Sequence, residues 1–111
     1  MFKRKNKKQE DKKNKQLLTS FDRMVYFIFQ ENETSRDEMF KLCDTILSGK
    51  PVLANFDKID KAECNFMLAF ISGVVYATEG ETIQVGNKLF LFARKEEYED
   101  GSLKQYVEDI K

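Results

Sequence analysis

The stretch of sequence that decides the fold runs from residue 51 to residue 94 and reads PVLANFDKIDKAECNFMLAFISGVVYATEGETIQVGNKLFLFAR. Its first part, Val52–Phe56, follows Pro51 and predicts a strand, because short β-branched and aromatic runs bounded by such residues are typical of strands. Asp60 then begins a helix, with Glu63 at the spacing of a capping box that satisfies the free amides of a first turn. A strand that leads directly into a helix is therefore expected here.

The helix that follows Asp60 has a wide apolar surface. One stripe consists of Ala62, Phe66, Ala69, Phe70 and Gly73, and a second set, Cys64, Met67, Leu68, Ile71 and Val74, extends it around the side. A helix that packs on a single sheet needs a narrower apolar face than this. Two interpretations compete. The helix is either deeply buried in a core, or it packs on its own sheet on one side and on a partner molecule on the other.

A hairpin completes the stretch after Gly80. Thr82–Val85 is a short strand, and Gly86-Asn87 turns the chain into a last strand, Lys88–Arg94. Alternate residues of that strand point to opposite sides, and both sides are apolar: Leu89, Leu91 and Ala93 on one, Phe90 and Phe92 on the other. A sheet with helices on one face shows polar residues on the other unless a second layer covers it. A chain of 111 residues offers too few helices for that layer, so we expect a homodimer.

The first half of the chain predicts a strand, Phe21–Phe29, and a helix that starts with a capping box of Ser35 and Glu38 and ends at Gly49. The strand is apolar on both faces, which favours a place in the middle of the sheet. Strand, helix and strand at this spacing indicate a right-handed parallel crossover. The whole predicts an α+β two-layer sandwich, β-α-β-α-β-β-α, with two main helices on one face of a mixed sheet; a ferredoxin-like topology is the alternative.

The C-terminal part begins with an acidic segment, Lys95–Gly101, which is expected to be a solvated loop without metal-ligand spacing. Ser102 and Gln105 again have capping-box spacing. Leu103, Tyr106, Val107 and Ile110 then mark one face of a short amphipathic helix. The sequence does not decide whether this helix packs on its own domain or on a neighbouring molecule.

Charge divides the chain into a basic tail, residues 1–20, and a domain, residues 21–111. Residues 1–16 hold eight basic and two acidic residues, a net charge of +6, and the remainder carries −6. The tail lacks periodic hydrophobicity, which predicts disorder. It is interpreted as a solubilising tail, as a nucleic-acid arm, or as an attachment to an anionic membrane. The membrane contact would use Met1, Phe2, Lys3, Arg4, Lys5, Lys7 and Lys8.

Catalytic chemistry finds little support in the sequence. There is no histidine, no phosphate-binding loop and no dinucleotide-binding glycine motif. Cys43 and Cys64 lie among apolar residues and are expected to be buried without a catalytic or disulfide role. We predict no enzyme activity, no cofactor and no metal site. The absence of a signal-peptide core or an apolar membrane span favours a cytoplasmic protein.

An ordered set of short motifs in residues 21–94 resembles the C-terminal domain of the SepF family. The matching residues are Asn55, Asp60, Phe70-Ile71-Ser72-Gly73, Tyr76-Ala77, Gly80, Gly86 and Phe90-Leu91. The resemblance implies a non-enzymatic adaptor that works at the division septum, peripheral to the membrane. Such proteins bind the C-terminal tail of FtsZ, the tubulin-like division GTPase, and bundle its filaments.

The resemblance also implies two sites. Partner binding would involve the hairpin, here Gln84, Val85, Gly86, Lys88 and Phe90, and self-assembly would use Ala69, Phe70 and Gly73 on the helix. SepF proteins commonly carry a basic residue at the position of Gln84, and Lys88 across the turn is a substitute for it. They also begin with an amphipathic helix and a long linker, which this tail does not resemble. The alternative function is a small nucleic-acid-binding module, but the acidic domain offers no basic groove for it.

Overall fold

A computed structural model describes residues 18–32 and 35–110 of the chain. The strands and helices are β1 (Val25–Gln30), α1 (Ser35–Leu47), β2 (Val52–Lys58), α2 (Lys61–Ala77), β3 (Glu81–Gly86), β4 (Leu89–Ala93) and α3 (Ser102–Ile110). Two short 3-10 helices, Phe21–Arg23 and Lys95–Tyr98, precede β1 and follow β4. The predicted α+β fold and its order of elements are confirmed.

The described strands form one mixed sheet in the order β1-β2-β4-β3. Strands β1 and β2 run parallel, with Val25 opposite Val52, while β4 is antiparallel to both β2 and β3. Because β1 and β2 pair directly, no strand lies between the two parallel strands as it does in a ferredoxin-like split unit. That alternative topology is therefore not found.

Strand β1 is the part of the sheet that the sequence predicted wrongly. It lies at the edge rather than in the middle, and it begins at Val25 because Phe21–Arg23 forms a 3-10 helix. Its two apolar faces differ in environment. Phe29 is buried, whereas Tyr26 and Ile28 are 53% and 51% exposed. Although β1 is apolar on both faces, the described structure buries only the face that contains Phe29.

Helices α1 and α2 cover one face of the sheet, as predicted. Their buried side chains pack with those of the sheet in a single core: Met39, Leu42, Cys43, Ile46, Cys64, Met67, Ile71 and Val75 from the helices, and Phe29, Val52, Ala54, Phe56 and Phe92 from the strands. The predicted cap of α2 is present, since the side chain of Asp60 accepts a hydrogen bond from the Glu63 amide at 2.8 Å. That bond fixes where α2 leaves β2.

The second face of the sheet is partly covered by α3. Leu103 and Val107 of this helix pack with Leu91 and Ala93 of β4, together with Tyr98. The expectation that the chain has too few helices for a second layer is therefore wrong for this half of the face. Near β1 no part of residues 18–32 and 35–110 covers this face, where Tyr26 and Ile28 are exposed. The structure leaves the dimer itself untested.

The segment that connects β4 to α3 is not the solvated loop that its acidic sequence indicated. Glu97 is buried and pairs with two arginines, at 2.6 Å from Arg23 and 3.1 Å from Arg94. Asp100 accepts hydrogen bonds from the backbone of Ser20 at 2.8 Å and of Ser102 at 2.9 Å. Acidic side chains therefore hold α3 and the start of the domain together. The first free amide of α3, that of Ser102, is bonded by Asp100, and the predicted bond between the Ser102 hydroxyl and the Gln105 amide is not formed.

Candidate functional site

A groove of about 260 Å³ lies between the first turns of α2 and the β3–β4 hairpin. It is lined by Lys61, Cys64, Asn65 and Leu68 from the helix and by Gln84, Asn87, Lys88 and Phe90 from the hairpin. Leu68 and Phe90 supply apolar surface, while the two lysines supply positive charge. No acidic residue is among these lining residues, so the groove favours a ligand that combines an apolar and an acidic group.

The hairpin turn presents Lys88 to this groove. The turn residues are Asn87 and Lys88, one position later than predicted, and Lys88 adopts a φ of 56°. The Lys88 carbonyl accepts a hydrogen bond from the Phe56 amide at 2.8 Å, which ties the turn to β2. Beside it, the Gln84 side chain donates to the Gly86 carbonyl at 3.1 Å. The turn thus holds Lys88 and Gln84 at one end of the groove.

Phe90 has a double role in the structure. It is half-buried and packs against the core, with its ring centroid 5.8 Å from that of Phe56 in an edge-on arrangement. It also lines the groove. Phe90 can therefore contribute to the core and to a binding surface at the same time.

The predicted partner-binding residues are only partly brought together. Gln84, Lys88 and Phe90 line the groove, and Gly86 lies at the turn between them. Val85 instead packs with the cluster beneath α3, on the opposite face of the sheet. This division follows from the strand alternation, because neighbouring residues of β3 point to opposite faces.

A second candidate surface is the outer side of α1 and α2. Phe40, Phe66 and Phe70 are between 41% and 48% exposed, and Ala69 and Gly73 are exposed beside them. The Phe40 and Phe70 rings pack edge to face at 5.6 Å, and the Arg36 guanidinium lies 4.1 Å from the centre of the Phe66 ring. We call this surface, Phe40, Phe66, Ala69, Phe70 and Gly73, the helix face.

Gly73 is not needed for packing within the chain. A Cβ atom added there would meet nothing within 4 Å. A glycine at this position is therefore not required for α2 to approach its own sheet. The apolar stripe of α2 that contains Gly73 points outward, while the core uses the neighbouring stripe of Cys64, Met67, Ile71 and Val75.

A family model described as "Cell division protein SepF" matches residues 34–96, which is more than half of the chain. The chain belongs to the SepF family. It is 32% identical over 71 residues to the SepF protein of Caldanaerobacter subterraneus subsp. tengcongensis, covering 64% of this chain and 53% of that protein. It is 34% identical over 68 residues to SepF of Lactobacillus gasseri, covering 61% and 47%. The chain thus spans about half the length of these two relatives.

A longer match of lower identity is found with SepF of Carboxydothermus hydrogenoformans. It is 26% identical over 100 residues and covers 90% of this chain and 72% of that protein. The family membership places this protein among the cell division proteins. The suspected SepF resemblance is therefore confirmed.

Several of the residues that carry the SepF resemblance stabilise the fold around the groove. Asp60 caps α2, and Gly80 passes so close to β4 that an added Cβ would collide with the Ala93 carbonyl. Asn55 bridges two strands through its contacts, accepting from the Asp57 amide at 2.8 Å and donating to the Tyr26 hydroxyl at 3.3 Å. These motif residues therefore position α2, the start of β3 and the β1–β2 pair, which surround the groove.

The helix side of the groove was missed by sequence reasoning. Lys61, Cys64, Asn65 and Leu68 are spaced as one helical stripe, which is a visible signal. Which stripe faces the hairpin depends on the strand order, and that order was not derivable. Burial raises the pKa of the Cys64 thiol, an effect that the positive charge of Lys88 opposes.

The other residues and sites considered from the sequence are a buried cysteine, a metal site and a membrane contact. Burial, with a smaller contribution from Asp44, raises the pKa of the Cys43 thiol to about 11, and this cysteine lies in the core. Within residues 18–32 and 35–110, no cluster of side chains has the composition of a metal site, and no helix has the length and apolar content needed to span a membrane. The membrane residues predicted in the tail, Met1 to Lys8, lie outside the described residues.

Proposed function

We propose that this chain is a non-enzymatic division adaptor that binds the C-terminal tail of FtsZ in the groove between α2 and the hairpin. It would link or bundle FtsZ filaments at the septal membrane through its own self-assembly. The observation that carries this proposal is the groove itself. It joins Phe90 and Lys88, implied by the SepF resemblance, to a second lysine on α2.

The chemistry of the groove suits a short peptide. Leu68 and Phe90 can bury an apolar side chain, which is the main source of affinity in such grooves. Lys61 and Lys88 attract a carboxylate from two sides. Asn65 and Asn87 offer amide groups that can bond to a peptide backbone. The loss of a basic residue at Gln84 is thereby offset by lysines at two other positions.

Self-assembly is proposed at the helix face. An apolar patch of this kind, built from three phenylalanines around a small-residue strip, is typical of a protein interface. Ala69 and Gly73 allow a second helix to approach closely, because the distance between packed helices is set by the side chains at the contact. An adaptor with several copies of its peptide groove on one assembly would hold several FtsZ tails at once.

Titration of a fluorescent FtsZ C-terminal tail peptide into the full chain tests the binding proposal. We expect saturable binding that is weakened at least about tenfold by Phe90→Ala, because loss of a central aromatic contact typically costs 1.4 kcal/mol or more. Lys61→Glu combined with Lys88→Glu should weaken binding similarly without removing a core contact. Lys104→Glu on α3 is the matched control and should bind like the unaltered chain. Absence of binding by a folded chain would contradict the proposal.

The basic tail is proposed to contact an anionic membrane. Each basic residue near such a surface contributes about 1 kcal/mol at moderate salt, and residues 1–16 carry a net charge of +6. We expect co-sedimentation with vesicles that contain phosphatidylserine, and its loss when Lys3, Arg4, Lys5, Lys7 and Lys8 are all changed to Gln. Vesicles of neutral phosphatidylcholine are the control. Equal binding by the altered and unaltered chains would show that the tail is not the anchor.

A further inference from the structure

A second groove, of about 270 Å³, lies between the start of the domain and α3. We call it the α3 groove, and its lining residues are Thr19, Phe21, Ser102, Gln105, Tyr106 and Asp109. It shares no lining residue with the groove beside the hairpin and no residue with the helix face. The function proposed above therefore leaves the α3 groove without a role.

Two aromatic rings form the apolar part of the α3 groove. The centroids of the Phe21 and Tyr106 rings are 5.2 Å apart, and the rings are inclined by 40°. Phe21 is 42% exposed and Tyr106 is half-buried, so both rings retain surface that another apolar side chain can cover. The Phe21 amide donates to the Ser102 hydroxyl at 3.0 Å, which fixes one wall against the other. The groove is therefore pre-formed, as binding sites usually are.

Acidic side chains border these rings. Asp109 lines the groove and accepts a hydrogen bond from the Gln105 side chain at 2.8 Å. On the other wall, the Asp22 carboxylate accepts from the Thr19 amide at 3.0 Å. No lysine or arginine is among the described residues that line the groove. An apolar floor with an acidic border favours a ligand that joins an apolar side chain to positive charge.

The basic tail of this chain is attached at the rim of the α3 groove. The described residues begin at Leu18, directly before the lining residue Thr19. Residues 1–16 carry a net charge of +6, and Phe2, the only aromatic residue of the tail, is followed by three basic residues at positions 3–5. The chain between Phe2 and Leu18 can span up to about 50 Å, so Phe2 can reach back to the groove.

Attachment at the rim favours this segment over a separate molecule. A ligand tethered next to its site meets that site at an effective concentration of about 1 mM, so that even a weak contact is populated. The +6 tail also opposes the −6 charge of the remaining chain. Position, charge and the aromatic side chain of Phe2 thus all indicate the same occupant.

We propose that the α3 groove binds Phe2 and the basic residues that follow it, and thereby withholds the tail from an anionic membrane. In the proposed contact, the Phe2 ring covers the exposed parts of Phe21 and Tyr106, and the adjacent positive charges lie beside Asp109. The second half of the inference rests on the membrane contact proposed above. Anionic lipid attracts the same basic residues, so groove and membrane compete for one segment, and the tail leaves the groove when such lipid is present.

Fluorescence of the full chain tests the groove contact without any membrane. The sequence contains no tryptophan, so Phe2→Trp introduces a single indole. Acrylamide, a neutral quencher, should quench this indole at least about twofold less than when Tyr106→Ala or Asp109→Lys is added, because an indole in the groove is shielded from solvent. Glu108→Lys adds the same charge to α3 outside the groove and should leave the quenching unchanged. Asn14→Trp, far from Phe2 in the tail, should be insensitive to these groove variants.

Vesicles that contain phosphatidylserine test the competition. Asp109→Lys should bind them at least about threefold more tightly than Glu108→Lys, because the apparent affinity is reduced by the fraction of chains whose tail is docked. The two variants have equal net charge, so the difference reports release of the tail. The same vesicles should expose the indole of Phe2→Trp to a water-soluble quencher less in the membrane than in Asp109→Lys without lipid.

The outcomes separate the groove contact from the membrane contact. Equal quenching of Phe2→Trp with and without the groove variants would overturn docking of the tail. Quenching that decreases as the protein concentration rises would also overturn it, because the tail of another copy would then occupy the groove. Equal vesicle binding by Asp109→Lys and Glu108→Lys would overturn the competition. If no variant binds vesicles, the proposed membrane contact and the competition both fail, while the quenching result still decides whether the tail docks.

Discussion

Glu97 connects three parts of the chain that are distant in sequence. Its carboxylate contacts Arg23, which precedes β1, and Arg94, which follows β4, and Arg23 in turn donates to the Gly49 carbonyl at 2.9 Å. The Glu97 side chain is 5% exposed, so water does not replace these contacts. At the scale of the residue, this buried carboxylate joins the start of the domain, the end of α1 and the connection to α3.

Glu97→Gln should destabilise the fold by about 2 kcal/mol, because removing the charge leaves two arginines without their anionic partner in a partly buried site. The estimate is modest since both arginines retain some exposure. Urea unfolding of the full chain measures the change. Glu96→Gln is the control: its side chain is 60% exposed, and its loss should cost less than about 0.5 kcal/mol. Equal effects of the two variants would contradict the structural role of Glu97.

At the scale of the element, α3 depends on Asp100 at its start. Asp100 accepts from the Ser102 amide at 2.9 Å, the Ser102 hydroxyl at 2.8 Å and the Ser20 amide at 2.8 Å. Burial alone would raise the pKa of Asp100, but the hydrogen bonds from Ser102 and Ser20 together lower it by more, below the ordinary value of 3.8. The carboxylate form is thus the one that holds α3.

Asp100→Ala should loosen α3 by about 1 kcal/mol, the usual cost of losing a helix cap. Because the folded-state pKa is lowered, this stabilisation is present above pH 3.8 and is lost as the pH falls through the lowered pKa. Amide exchange of α3 should therefore quicken at neutral pH in the variant and only at acidic pH in the unaltered chain. Asp109→Ala, on the exposed side of α3, is the control. Unchanged exchange in Asp100→Ala would contradict the prediction.

The elements that could be predicted are those with local signals. The cap at Asp60, the hairpin and the two main helices follow from residue spacing within one element, and the structure has them. The edge position of β1 and the burial of Glu97 depend on contacts between residues more than twenty positions apart, which no local pattern encodes. The hairpin side of the groove was expected from the SepF resemblance rather than from a local pattern. Its α2 side, Lys61 to Leu68, required the packing of the helix on the sheet.

At the scale of the whole molecule, the helix face and the part of the sheet near β1 that α3 leaves exposed lie on opposite sides of the sandwich. Two independent contacts between copies generate an extended or closed assembly rather than a dimer alone. We propose that the predicted homodimer forms across the sheet and that further assembly uses the helix face, so the two contacts have separate tests. Neither surface includes Lys88 or Phe90, so assembly would leave the groove open to a peptide.

Gly73→Trp should abolish assembly beyond the dimer and leave the fold intact. The position is exposed with free space around it, and a glycine within a helix costs about 1 kcal/mol relative to alanine, so substitution does not strain α2. The bulky ring prevents the close approach of a second helix. Light scattering measures the mass, and Lys104→Trp on α3 is the control. An unchanged mass distribution in Gly73→Trp would contradict a role for the helix face.

The place where the basic segment joins the domain has a mechanical consequence. Tension applied to residues 1–17 reaches the described chain at Leu18 and is carried first by the bonds of Ser20 to Asp100 and of Phe21 to Ser102, at 2.8 and 3.0 Å. Both bonds end at the start of α3. A force on the N-terminal segment is therefore transmitted to α3 as well as to the sheet. The start of the domain and its C-terminal helix resist such a force together.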